Sequence, residues 1–151
     1  EAFAEQGIAA DRFTLAGRSP HSEYLATHAQ VDIMLDTFPF SGGATTCNAL
    51  WMGVPIVTCS GETFASRHGL SYLANIGLCE LVGRDLDEYV EIAVHLANDL
   101  PRLAAIRAGL RDRMAGSPLC DATRFAAELF SELRCVWRRW CAQRTGTRGT
   151  G

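Results

Sequence analysis

Val31-Asp-Ile-Met-Leu-Asp-Thr-Phe-Pro-Phe-Ser-Gly-Gly-Ala-Thr-Thr-Cys-Asn-Ala-Leu50 reads as a strand, a Gly-rich loop and a helix in direct succession. The apolar run Val31–Leu35 is short enough for a buried strand. Asp36–Gly43 is polar, aromatic and Gly-rich, as a connection should be, and a helix is expected from about Thr45 to Met52. Gly53 stops that helix, and Val54-Pro-Ile-Val-Thr58 is the next strand, with Pro55 marking either an edge or an unpaired start. Strand, helix and strand joined by short connections imply parallel pairing, so the stretch decides for an α/β fold.

Upstream, Glu1–Gln6 ends at Gly7 like the last turn of a helix, Arg12-Phe-Thr-Leu-Ala16 reads as a buried strand, and Ser19-Pro20 as an N-cap with proline at the first helical position. The helix it opens runs from about His21 to Gln30. Downstream, a helix from about Phe64 to Ala74 leads to a fourth strand, Leu78–Val82. Beyond Asp85 the pattern is helical only: one helix with an acidic first turn and apolar positions 89, 90, 93, 94 and 96, one from Leu100-Pro101 to about Ala115, and one from about Ala122 to Ala142. The last carries Phe125, Leu129, Phe130, Leu133, Val136, Trp137 and Trp140 at spacings of three and four and reads as an amphipathic docking helix. Residues 1–143 are thus expected to form one lobe with a parallel sheet of about four strands, and Arg144–Gly151 a disordered tail.

The 151 residues suffice for one domain with a core of its own. Fourteen basic residues against 17 acidic give a net charge of −3, which argues against general nucleic-acid binding. All 14 basic residues are Arg, so chemistry that needs a lysine, such as a Schiff base or a P-loop, is excluded from this chain. Six cysteines form no Cys-x-x-Cys pair, and the four histidines show no metal-ligand spacing, so reduced thiols in a cytoplasmic protein and no bound metal are expected. No run reaches the roughly 18–20 apolar residues of a membrane span. The chain starts without Met in a helix-like pattern and reads as a piece of something longer.

Two places could carry chemistry. At the first, a helix N-terminus follows Gly42-Gly43, where unpaired N–H groups and close backbone approach suit an anion, and Thr45 and Thr46 add hydroxyls. Such a loop lies at the carboxyl end of a parallel strand, where α/β folds bind ligands. The plainer alternative is a Gly-Gly turn with a threonine N-cap. At the second, His21 and Tyr24 lie one turn apart after Ser19-Pro20 and could flank a ligand, or else His21 faces solvent while Tyr24 packs. His68 reads as a helix-surface or core residue, and Glu62 as a cap or a partner of the helix dipole.

Residues 31–58, Gly61-Glu-Thr-Phe-Ala-Ser-Arg67 and Ser117-Pro-Leu-Cys-Asp121 together resemble the C-terminal catalytic lobe of the O-GlcNAc transferase/SPINDLY family, glycosyltransferase family 41, in its bacterial form. The resemblance runs in order from about Glu1 to Cys141. It implies a Rossmann-like GT-B lobe that binds a nucleotide-sugar donor, facing an N-terminal lobe usually preceded by tetratricopeptide repeats. The implied reaction is inverting transfer of GlcNAc from UDP-GlcNAc, or fucose from GDP-fucose, to Ser/Thr of a protein acceptor without an essential metal.

Carried over by position, Ser19 falls on a backbone contact to the base and Tyr24 on an aromatic position that packs on it. His21 falls where animal members carry a donor-contacting lysine. Gly43, Ala44 and Thr45 match a phosphate-binding stretch that reads His-Thr-Thr in animals. Asn48 falls where an acid grips the donor ribose; it can accept a hydrogen bond but lacks the charge. No catalytic residue is expected in this segment, because the active-site histidine and acceptor groove belong to the other lobe, and the segment alone is expected to be inactive. The rival expectation is a non-catalytic scaffold whose donor site has decayed at Ala44 and Asn48.

Overall fold

The structure is a computed structural model that describes residues 2–146. Helix α1 (Ala2–Glu5) and α2 (His21–Thr27, continued by a 3-10 turn at His28–Gln30) precede β1 (Met34–Leu35), α3 (Ala44–Trp51) and β2 (Ile56–Cys59). Then come α4 (His68–Asn75), β3 (Val82–Gly83), α5 (Leu86–Asn98), α6 (Leu100–Ala115) and α7 (Ala122–Gly146). The strands form one parallel sheet in the order β1-β2-β3, with Met34 opposite Ile56 and Thr58 opposite Val82.

All four residues of β2 are buried, as a central parallel strand covered on both faces requires. Ala49 and Leu50 of α3, Leu73 of α4, Leu96 of α5 and Leu103, Ile106, Leu110 and Met114 of α6 close over it. Gly53 ends α3 with φ +81°, a left-handed conformation that glycine adopts freely. It lets Val54 N–H reach back to Ala49 O (2.8 Å) and sends the chain straight into β2. On α6, Asp99 caps the first turn from its side chain, and three arginines serve neighbouring carbonyls: Arg107 at Val31 and Asp32, Arg111 at Trp51, Arg113 at Ile76 and Gly77. Those carbonyls include the ends of α3 and α4, where a cation is favoured.

Several expectations need correction. Arg12–Ala16 is not a strand: a 3-10 turn takes Ala10–Arg12, Leu15 is 84% exposed, and only Phe13 finds cover, stacked on Phe3 at 4.9 Å. No strand among the described residues pairs with it, and extended apolar chain without a ladder has no reason to bury. Among the described residues the sheet therefore has three strands, not four. Two are shorter than their apolar runs, since only Met34–Leu35 pair in the first, and a 3-10 turn takes Cys79–Leu81 before Val82–Gly83 pair in the last. Pro55 does not mark an edge, because β2 is central, and the start is not unpaired either: the Pro55 carbonyl accepts from Met34 N–H of β1 (2.9 Å), and only the missing proline N–H stays out of the ladder. Pro20, not Ser19, occupies the N-cap of α2, and no side chain caps it. Pro20 has ψ 151°, outside the helix, and its carbonyl accepts the first helical bond from Tyr24.

On α5 the buried face is Tyr89, Ile92, Ala93 and Leu96, while Val90 and Val94 are exposed. Helix α7 runs on to Gly146, so the first residues of the expected tail are helical, and 147–151 lie outside the described residues. Its apolar stripe is uncovered: Phe130 is 68% exposed and Trp137 61%. Among the described residues no helix is long and apolar enough to cross a membrane.

Candidate functional site

The connection from β1 to α3 is built around Asp36. Its N–H donates to Val57 O (2.9 Å) and extends the strand pairing, while its carboxylate is buried. Oδ1 accepts from the N–H groups of Thr37 (3.1 Å) and Gly42 (2.7 Å), and Oδ2 accepts from the Thr58 hydroxyl (2.7 Å). The Tyr89 hydroxyl donates to the Asp36 carbonyl (3.0 Å). Ser41 N–H donates to Ala65 O (2.9 Å), and the Thr37 hydroxyl to Phe40 O (2.6 Å). Gly42 answers a close approach, since a Cβ there would stand 2.5 Å from Thr46 Oγ1 and 3.3 Å from Asp36 Oδ1.

Helix α3 then begins at Ala44 with Gly43 in the N-cap place and no side chain capping it, which corrects the threonine-cap alternative. Cys47 is the residue that first donates back, to Gly43 O (3.2 Å), so the N–H groups of Ala44, Thr45 and Thr46 have no helical acceptor. They add their partial positive charge at the carboxyl end of β1. Ala44 and Thr45 are exposed, and Gly43 and Asn48 half-buried. Thr46 goes the other way: it is fully buried, and its Oγ1, like the Oγ of buried Ser41, has no hydrogen-bond partner. Of the two threonine hydroxyls expected to face an anion, only that of Thr45 is exposed.

The second set lies on α2 and just ahead of it. Ser19 and His21 are exposed, Tyr24 is half-buried, and the rings of His21 and Tyr24 stand 6.2 Å apart at 29°, so the shared face expected from their spacing is present. Tyr24 packs edge-on against buried His28 (4.9 Å, 85°), whose Nδ1–H donates to Tyr24 O (3.0 Å) and Leu25 O (3.2 Å). The structure thus brings His21 and Tyr24 together on α2, with Ser19 two residues ahead of it, and places Ala44, Thr45 and Asn48 on α3 behind the N-cap Gly43.

Glu62 is exposed and caps nothing; Thr63 and Ser66 form the capping box of the 3-10 turn Phe64–Ser66. His68 opens α4 inside an aromatic cluster, edge-on to Phe64 (4.7 Å) and Phe40 (6.4 Å) and stacked with Tyr72 (6.3 Å). Burial pushes the Cys47 thiol up, against a lowering hydrogen bond from Tyr72, and burial also raises the Tyr72 phenol. Neither thiol nor phenol is prepared as a nucleophile. Asp36 and Thr58 carry the geometry of this site yet were not singled out from sequence. The available signal was an acid closing an apolar strand ahead of a Gly-Gly loop, and a lone hydroxyl in the buried strand Ile-Val-Thr-Cys.

The architecture is an α/β lobe of the GT-B kind. It superposes on a mutant of the Thermobaculum terrenum O-GlcNAc transferase with TM-score 0.86 and 40% identity, covering 95% of this chain and 28% of that one. The probable UDP-N-acetylglucosamine–peptide N-acetylglucosaminyltransferase SPINDLY of Petunia hybrida is 47% identical over 119 residues, 79% of this chain and 13% of that protein. The corresponding transferase of Caenorhabditis elegans is 32% identical over 136 residues, 90% of this chain and 12% of that protein. The model of Glycosyl transferase family 41 matches residues 1–129. The chain belongs to that family, and it spans only about an eighth of the length of these curated relatives.

Proposed function

We propose that this lobe holds the nucleotide-sugar donor of an inverting protein O-glycosyltransferase. The observation that carries the reading is the uncapped N-terminus of α3, presented by Gly42 and Gly43 at the carboxyl end of β1 with Thr45 exposed beside it. The donor diphosphate would dock on the N–H groups of Gly43, Ala44 and Thr45, with the Thr45 hydroxyl as a further donor. Asn48 would meet the ribose, and Ser19, His21 and Tyr24 the base. When a Ser or Thr hydroxyl of the acceptor attacks the anomeric carbon, negative charge grows on the departing diphosphate, and N–H groups fixed in advance stabilise that charge without reorganising. The relatives named for UDP-N-acetylglucosamine and a peptide acceptor favour GlcNAc over fucose as the sugar.

The reading assigns no metal, and no catalytic residue, to these residues. The N-terminal lobe and tetratricopeptide repeats of a longer protein would supply the acceptor groove, so the 151-residue chain alone transfers no sugar. The second reading, a scaffold with a decayed site, draws on Ala44, whose methyl offers no donor at the helix end, and on the uncharged Asn48. Calorimetric titration of UDP and GDP into the full-length protein separates the two. One nucleotide binds tightly; Thr45→Ala weakens it by about tenfold, the value of one charge-assisted hydrogen bond to the diphosphate, and His21→Ala by roughly three- to tenfold through the lost contact to the base. A folded protein that binds neither nucleotide leaves the scaffold.

A further inference from the structure

We propose that Asp36 is the positioning residue of the donor turn: its buried carboxylate ties the Gly42 end of the turn to the middle strand and so sets where the N–H groups of α3 point. The inference rests on the donor-site reading. Both carboxylate oxygens are committed, Oδ1 to the amides at the two ends of the turn and Oδ2 to Thr58 on β2. Asp36 is 4% exposed and Thr58 fully buried, so neither interaction is traded with water.

A second observation is independent of those bonds. Gly69, in the first turn of α4, lies so close that a Cβ there would stand 2.6 Å from Asp36 Oδ2 and 2.5 Å from Thr58 Oγ1. With Gly42 on the other side, the carboxylate occupies a slot walled by two residues without side chains. Gly42 N–H is drawn inward to Oδ1, and the helix starts two residues later with its own N–H groups unclaimed. A turn in which Asp36 is cut would keep its sequence and lose the aim of those groups.

Hydroxyl chemistry gives a conservative rescue. In Asp36→Asn the amide oxygen takes the place of Oδ1 and the NH2 group donates to Thr58 Oγ1, which can accept as readily as it donates. In Asp36→Ala nothing holds Gly42, and in Thr58→Val one buried carboxylate oxygen loses its donor.

The test titrates UDP and GDP into the full-length protein and its variants, and measures by NMR the nucleoside of whichever nucleotide binds, as a phosphate-free control. Asp36→Ala weakens nucleotide binding by about tenfold or more and Thr58→Val by about threefold, with nucleoside binding unchanged. Asp36→Asn stays within about threefold of the wild type. Should Asp36→Ala not fold, Thr58→Val and Asp36→Asn carry the same comparison. Equal losses for nucleotide and nucleoside, or Asn as weak as Ala, would leave Asp36 a part of the fold alone and overturn the proposal. Wild type that binds neither nucleotide removes the donor-site reading and the positioning with it. Wild type that binds while Asp36→Ala and Thr58→Val bind equally well removes the positioning only.

Discussion

Helices α3 and α7 both present apolar residues at helical spacing, yet α3 buries Thr46, Ala49 and Leu50 in eight residues while α7, 25 residues long, has no buried side chain among those described. The difference lies at their ends. A turn pinned by Asp36 starts α3 and a left-handed glycine ends it with a direct return to β2, so its inner face has nowhere to go but onto the sheet. Helix α7 leaves from Asp121 beside the 3-10 turn Pro118–Cys120, with Ser71 and Asn75 of α4 facing its first turns across an open pocket, and then runs on with Leu133, Val136 and Trp137 uncovered. Periodicity states that a helix has an apolar face; the connections decide whether anything in the same chain covers it.

Cutting one leucine from each helix breaks this comparison most directly. Leu50→Ala removes a side chain with no exposed surface and costs about 2–5 kcal/mol by urea denaturation. Leu133→Ala, at a position 55% exposed, stays within about 0.5 kcal/mol. Comparable losses from the two would mean that α7 is covered in solution by a second copy, and sedimentation at two concentrations would then show it.

A single methyl group sharpens the contrast within the packed half. Gly69→Ala must displace Thr58 or Asp36, and overpacking of this kind costs about 1–3 kcal/mol. Gly109→Ala, in the interior of α6, meets only Arg113 Nε at 3.8 Å and gains about 0.5–1 kcal/mol from helix propensity. The same substitution thus changes sign between two helices. Equal effects at both would show that the slot around Asp36 is looser than the structure has it.

Much of this contrast was legible beforehand, and the illegible part has a physical cause. The order of strand, Gly-rich loop and helix from Val31 to Leu50, the stop at Gly53 and the Leu100-Pro101 start of α6 rest on local chemistry and stand where the residues indicate. Strand lengths and Arg12–Ala16 did not follow, because a strand needs a partner and apolar alternation cannot say whether one is there. Val90 and Val94 satisfy a helical period as well as Ile92 does, and only the direction of packing tells them apart. At the candidate site the loop and its glycines were visible. The tie from Asp36 to Thr58 was not, since it joins residues 22 apart in sequence and lies across the sheet.

The smallest predicted effect tests whether that tie extends to α5. Tyr89→Phe removes the donor to the Asp36 carbonyl and costs about 1 kcal/mol at neutral pH, the net value of one such bond. Burial pushes the Tyr89 phenol up, with the charges of Asp36 and then Cys59 adding to it. The unfolded chain therefore ionises this tyrosine first as pH rises, while the folded chain keeps it neutral. Its contribution is whole below the ordinary tyrosine value of about 10 and is lost as pH climbs through the raised one. Tyr72, Cys47 and Cys59 are raised by burial as well, so the wild type loses stability in alkali through several groups at once. Tyr89→Phe starts lower and falls less steeply between neutral and strongly alkaline pH. Parallel curves for the two proteins would show that Tyr89 titrates as it does in the unfolded chain, and that α5 takes no part in holding the turn.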